Sequence, residues 1–380
     1  MSKPRPLLAP RSRGDDRRIT IHFDGAPLPA RDGEPVSFAA GETIPPDVLG
    51  IIEYRSRGVK LGALGLTGMA LWLHPKRDKW REQEHGLRRT IASLWQEDGY
   101  FEGFYRPQGR GGRDGNVQNF YPGETMLLWA QLYRESRDPE LFRRIVASFE
   151  YYRDWHLDAS DPDRRRPSFT PWHTQADFIL WETLRAGSAK PTGEGEGEGE
   201  GEGEPSAPVP ADSGALTPEG WAVGTTPSEP AVLDPAAIAS FVFEMNDWLI
   251  ENMEVWEDSA YDDEKGRFFS RKHDYGGAHA SATGVYIEGI IDAYEMAKIL
   301  GDQAREDRYR KSLSRALRSV MQLQFVDDID MYYVTDRRRT KGGLRTTVMR
   351  NEVRVDNVQH VLMGVLKILD RFAPEDYATD

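Results

Sequence analysis

The chain has 380 residues, 39% of them hydrophobic, and a formal net charge of −13, which suits a soluble globular protein of one large or two ordinary domains. It has no cysteine, which excludes disulfides, thiolate–metal sites and cysteine nucleophiles. No run of about 18 apolar residues is present, so no membrane span is expected.

Residues 1–18 are rich in Pro and Arg and lack the apolar core of a secretory signal. They read as a disordered N-terminus, with a cytoplasmic location as the expectation. Residues 19–60 hold short extended candidates, such as Ile19-Thr20-Ile21-His22-Phe23 closed by Asp24-Gly25, and read as a small β appendage. From Leu61 to about residue 372 the chain reads as helical, interrupted at about 186–230 by a Gly-, Glu- and Pro-rich insertion that contains no core-forming pattern. Six glutamates (Glu194, Glu196, Glu198, Glu200, Glu202 and Glu204) sit in a Gly-Glu repeat there, and without them the net charge is near −7. No basic helix or aromatic–basic motif remains to suggest a nucleic-acid partner.

The helical region repeats a two-part unit. Loops rich in Gly and aromatic residues lead into apolar helices at Leu61-Gly62-Ala63, Gly123-Glu124-Thr125, Trp172-His173-Thr174, Ser281-Ala282-Thr283 and Asp356-Asn357-Val358. Amphipathic stretches lie between them, near 80–95, 139–155, 236–253 and 305–325. In the second stretch Leu141, Ile145, Phe149 and Tyr152 form one apolar side, and Asp138-Pro139-Glu140 supplies an N-cap and a first-turn proline. Leu313, Leu317, Val320, Met321 and Leu323 form the apolar side of the last stretch. Self-similarity at this spacing predicts a helical-hairpin array, about four and a half hairpins long. Alternating inner and outer helices would place every outer-to-inner loop at one end, and that end is where a site is expected. The fold class is therefore all-α: an (α/α) toroid of helical hairpins, short of the full ring, with a small N-terminal β appendage.

Units such as Tyr121-Pro122-Gly123-Glu124-Thr125, followed by Leu132-Tyr133 and then Asp138-Pro139-Glu140, resemble the (α/α) toroid superfamily of six-hairpin glycosidase-like proteins. The likeness covers most of residues 61–370. It implies a toroidal fold and carbohydrate-directed chemistry, and it carries over no catalytic residue.

Carboxylates at inner-helix starts are the first candidates: Glu124, Asp177 and Asp356, with Glu182 and Glu288 one or two turns deeper. Glycoside cleavage needs one protonated carboxyl and one carboxylate, and helices around one axis can bring two together. For Glu124 and Asp356, first-turn stabilisation by the helix dipole is the plainer reading. Asp177 and Asp356 are the expected acid/base pair. His173, His279 and His360 fall near inner-helix starts in three repeats, suited to proton transfer or sugar hydrogen bonding, with no spacing that builds a metal site. Trp172 and Tyr121 are the expected stacking platforms, and Arg354 belongs to a set of loop cations able to meet an acidic sugar. No cofactor is expected. The leading reading is a glycoside hydrolase-like or sugar-epimerase-like protein acting on an oligo- or polysaccharide. Alternatives are a non-catalytic helical-repeat module for a protein or polysaccharide partner, and an isoprenoid-binding toroid.

Overall fold

The structure is a computed structural model that describes residues 22–24, 49–52, 59–105, 115–158, 165–188, 231–257, 259, 261–270 and 278–377. The N-terminal residues 1–18 and the Gly-Glu insertion lie outside the described residues, although the helix before the insertion continues to Ser188, past its expected start.

The chain is mostly helical. Inner helices α1 (Leu61–Trp72), α3 (Tyr121–Ser136), α5 (Phe169–Ser188) and α7 (Ala280–Leu300) alternate with outer helices α2 (Arg81–Leu94), α4 (Pro139–Leu157), α6 (Pro235–Met253) and α8 (Gln303–Met321). A short α9 (Arg337–Thr340) precedes the last inner helix, α10 (Val355–Arg371). Each inner helix packs on the next in the order α1, α3, α5, α7, α10, and each outer helix packs on the inner helix before it. This is the hairpin array that the repeat implied.

Local chemistry explains the element boundaries. The Leu141 N–H donates to Asp138 Oδ1 at 2.8 Å, so Asp138 caps α4 as its position before Pro139 suggests. Asp234 and Asp302 cap α6 and α8 in the same way. Leu141, Ile145, Phe149 and Tyr152 all face the core. In α8 the apolar side is narrower than expected: Leu313, Val320 and the following Leu323 are buried, whereas Met321 is 66% exposed because the helix ends there and turns away.

The repeat extends to the outer-to-inner loops. Isolated antiparallel bridges join Trp95 to Phe101, Glu254 to Phe268 and Gln324 to Leu344. Two residues before the second partner of each bridge stands a glycine with positive φ: Gly99 (88°), Gly266 (85°) and Gly342 (85°). A Cβ at Gly99 would lie 2.1 Å from the Ala147 carbonyl oxygen of α4, and one at Gly266 would lie 1.9 Å from that of Arg315 in α8. The first two loops thus fold tightly against the outer helix of the next hairpin, which only glycine permits, while Gly342 has open space around it and serves the turn alone.

Among the described residues six short strands pair as three antiparallel two-stranded sheets: β1 (His22–Asp24) with β2 (Leu49–Ile51), β3 (Val59–Lys60) with β4 (Phe104–Tyr105), and β5 (Arg345–Thr347) with β6 (Arg350–Val353). β2 docks on α2, where the Thr90 hydroxyl donates to the Gly50 carbonyl at 2.5 Å. The last loop contains the β5–β6 hairpin, and Tyr332 and Tyr333 in it are 69% and 86% exposed.

The inner row curls. α10 lies along α7, yet its His360 ring comes 5.7 Å from the Trp172 ring of α5, and its Lys367 reaches Gln175 of α5. Glycines permit this closeness: a Cβ at Gly123 would lie 2.6 Å from Trp172 Cβ, and one at Gly284 would lie 2.6 Å from the Val361 amide nitrogen. These contacts bring residues of α5, α7 and α10 together, with Glu124 of α3 close enough to feel the His360 charge. No described helix is long and apolar enough to cross a membrane.

Candidate functional site at the inner-helix axis

Glu124 stands in the first turn of α3, four residues after Phe120, whose side chain makes no cap hydrogen bond. Its carboxylate lies against the backbone of α1, where Gly62 leaves room: a Cβ there would sit 1.8 Å from Oε2. Removal from water pushes the Glu124 pKa up to about 7, although the charges of His360 and Lys60 pull it down. Position in the first turn alone would have kept this carboxyl ionised. Burial outweighs it.

His360, one turn into α10, places Nδ1 2.8 Å from Glu288 Oε1 of α7. Both side chains are largely buried. With Nδ1–H donated to the carboxylate, Nε2 carries the free lone pair, the arrangement that makes an imidazole a base. The Trp172 ring meets the imidazole edge to face at an interplanar angle of 74°.

One to two turns deeper, Lys367 Nζ donates to Gln175 Oε1 (2.9 Å), to the Glu288 carbonyl oxygen (3.1 Å) and to Asp292 Oδ2 (2.7 Å). Arg371 donates to the other Asp292 oxygen. Because an ammonium group can only donate, the Lys367 contact fixes which way the Gln175 amide points. Its Nε2 is then a buried donor with no protein acceptor. At the mouth, Tyr121 is half-buried against Phe104 and Phe120, with Lys60 6.0 Å above its ring.

No protein-family model, curated protein or solved structure matches this chain.

Of the expected site residues, Glu124, Trp172, Tyr121 and His360 gather at the axis. Of the others, His279 lies near enough to feel the charge of His360, and the rest are placed elsewhere. Asp177 is 1% exposed inside the protein, on the same side of α5 as His173, and its Oδ2 has no hydrogen-bond partner. Burial pushes its pKa well above the carboxylate range, so it is held neutral. His173 stacks on Phe169 at 3.8 Å and lies 5.5 Å from the Tyr152 ring of α4, in the layer between inner and outer helices. Burial lowers its pKa to about 3, so it stays uncharged.

Asp356 forms a two-point ion pair with Arg354 at 2.6 and 2.9 Å on the rim. Partial burial raises its pKa, but the Arg354 hydrogen bonds prevail and hold it below the usual value, which makes it a poor general acid. The expected pairing of Asp177 with Asp356 is thus replaced: one is a neutral interior carboxyl, the other an ionised rim carboxylate. His279 caps α7, accepting the Ala282 N–H on Nδ1 at 3.0 Å.

Lys367, Asp292 and Gln175 were not singled out from the sequence. A signal existed, because Lys367 and Asp292 are charges set within the apolar runs of α10 and α7. Among the described residues, no group of three or more His, Asp or Glu side chains is placed to hold a metal ion.

Proposed function

We propose that this protein is a carbohydrate-active enzyme of the sugar-epimerase-like kind, built on an incomplete (α/α) toroid, with proton transfer at the inner-helix axis. The observation that carries the reading is a carboxyl held near pKa 7, Glu124, close to a histidine whose Nδ1 is occupied by Glu288. Groups titrating near the working pH can both give and take protons, which is the requirement for general acid–base work.

In this reading His360 Nε2 removes a proton from carbon next to a substrate carbonyl. The protonated Glu124 returns a proton to the opposite face, inverting that carbon, and solvent resets both groups. Trp172 and Tyr121 offer ring faces suited to the apolar side of a pyranose, and Gln175 Nε2 offers a donor to a hydroxyl or carbonyl oxygen.

The test is NMR of a panel of reducing mono- and disaccharides incubated with the protein in deuterium oxide. The reading expects deuterium to appear at the carbon adjacent to the carbonyl, with a second epimer accumulating. Cleavage of an oligosaccharide without such exchange would instead favour a glycosidase pair of Glu124 and Glu288. Neither exchange nor cleavage across the panel would overturn catalysis here and favour a binding module.

A further inference from the structure

α10 stands at one end of the inner row, and it differs from the other inner helices in what covers it. The outer helices α2, α4, α6 and α8 follow α1, α3, α5 and α7, but among the described residues no outer helix follows α10. It packs chiefly on α7, through a buried row of Asn357, Val361, Gly364 and Ile368. On its far side Val355, Leu362, Met363, Leu366 and Leu369 are between 44% and 84% exposed. An inner helix is apolar on both sides because it has two neighbours. α10 keeps the second apolar side and lacks the neighbour.

The exposed side is patterned. Val355, Gln359, Leu362, Leu366 and Leu369 follow one another at alternating steps of four and three residues, the spacing that keeps a seam on one side of a helix and pairs it with another helix. The apolar side chains of this strip, Met363 included, expose on the order of 500 Å² per chain, at the upper end for the largest apolar patch of a monomer. Two such strips face to face bury about 1000 Å², the size at which specific interfaces begin. The other end of the inner row offers no match, because Leu66, Met69 and Leu71 of α1 are partly buried against the core. A head-to-tail contact between the two ends would also build open chains, whereas a strip that meets its own copy closes as a two-fold dimer.

We infer that the partner of this face is a second copy of the chain, with the two α10 helices packed antiparallel about a two-fold axis near Met363. Charge sets the direction. The N-terminal end of the helix carries Arg350, Glu352, Arg354 and Asp356, a balanced set. At the C-terminal end Lys367 and Arg371 are tied to Asp292, and the exposed charges are Asp370 and Glu375, both acidic. A parallel pair would set these four carboxylates together. An antiparallel pair instead sets Asp370 and Glu375 of each copy near the other's Arg354, half-exposed beside its own Asp356, and near the positive end of the other's helix dipole. His360 and Lys367 lie on the side of α10 turned to α5 and α7, so the contact uses a different side of the helix from the residues gathered at the axis. The inference does not depend on the reading of that axis.

Multi-angle light scattering of the full chain at a concentration on the order of 50 μM, above a micromolar dissociation constant, tests it. The expected mass is twice that of the chain. The double variant Leu362→Glu/Leu366→Glu places two charges on the strip and should give the single-chain mass. Its helical circular dichroism should match the parent, because both side chains are exposed in the single chain. Cross-linking reads the direction, since the chain has no cysteine of its own. With a short bismaleimide, Met363→Cys should give a covalent dimer and Val355→Cys should not, because the two 355 positions lie about 24 Å apart in the antiparallel pair. A single-chain mass for the parent, a dimer that survives the double variant, or a Val355→Cys dimer as abundant as that of Met363→Cys would each overturn the proposal.

Discussion

The Oε2 atom of Glu124 occupies the space where a side chain at position 62 would begin: a Cβ on Gly62 would lie 1.8 Å from it. Two helices that are neighbours in the inner row are thereby tied to one ionisable group. The carboxyl packs against the Gly62 backbone beside the Tyr121 ring, and its removal from water there raises its proton affinity.

Gly62→Ala is expected to expel the Glu124 carboxylate toward the mouth. Rehydration should return its pKa toward that of an ordinary glutamate, and turnover at neutral pH should fall by at least tenfold. Steady-state assay of the variant alongside its thermal melt checks this. The fold should persist once the Glu124 carboxylate, the end of a flexible side chain, swings away and the half-buried Tyr121 ring, whose Cδ1 would lie 2.7 Å from the new methyl, shifts with it.

The pH dependence of stability should show Glu124 directly. Its folded pKa, near 7, lies above its unfolded value near 4.5. The protonated form is therefore favoured by folding, and its contribution is complete below about pH 4.5. It declines as pH rises toward 7 and is absent above that. The sum is on the order of 3 kcal/mol. Glu124→Gln, which cannot ionise, should show a flatter profile over this window and greater stability than the parent at pH 8, measured by urea unfolding.

Glu288→Gln should leave the His360 imidazole in place but remove the charge that fixes its tautomer. Loss of a positioned base typically costs about 10²–10⁴ in rate, so turnover should drop by about 10² or more while substrate binding by calorimetry changes little. Equal losses in both would argue that Glu288 is only a packing group.

Asp177→Asn should be nearly silent. The carboxyl is already neutral and unpartnered at Oδ2, so an amide of the same shape should change stability by no more than about 1 kcal/mol, and turnover should be retained. His279→Ala should instead cost about 1 kcal/mol of stability through loss of the α7 cap, measurable as a lower melting temperature, without removing activity.

Much of the architecture was legible because it rests on local rules. The Asp138-Pro139 start of α4 and the buried side from Leu141 to Tyr152 follow from capping and from the 3.6-residue period, and both are present. The site was legible only in part. Position near an inner-helix start picks out Glu124 and His360, but it cannot tell which side of the helix a residue occupies. Asp177 and His173 begin near the same end as Trp172, yet they turn toward the outer layer while Trp172 turns toward α10. The Arg354–Asp356 pair hid its own neutralisation, because a cation two residues away reads equally well as a ligand-binding group. The tight loop glycines, Gly99, Gly266 and Gly342, were missed because the spacing between helix end and glycine differs in each repeat.

The most direct test of the account is carbon-detected NMR of protein labelled at the glutamate side-chain carboxyl, titrated from pH 4 to 9. One resonance should titrate near 7 and disappear in Glu124→Gln. If every glutamate titrates within the ordinary range of about 4 to 5, Glu124 is a solvated carboxylate and the proton-transfer reading of the axis is wrong.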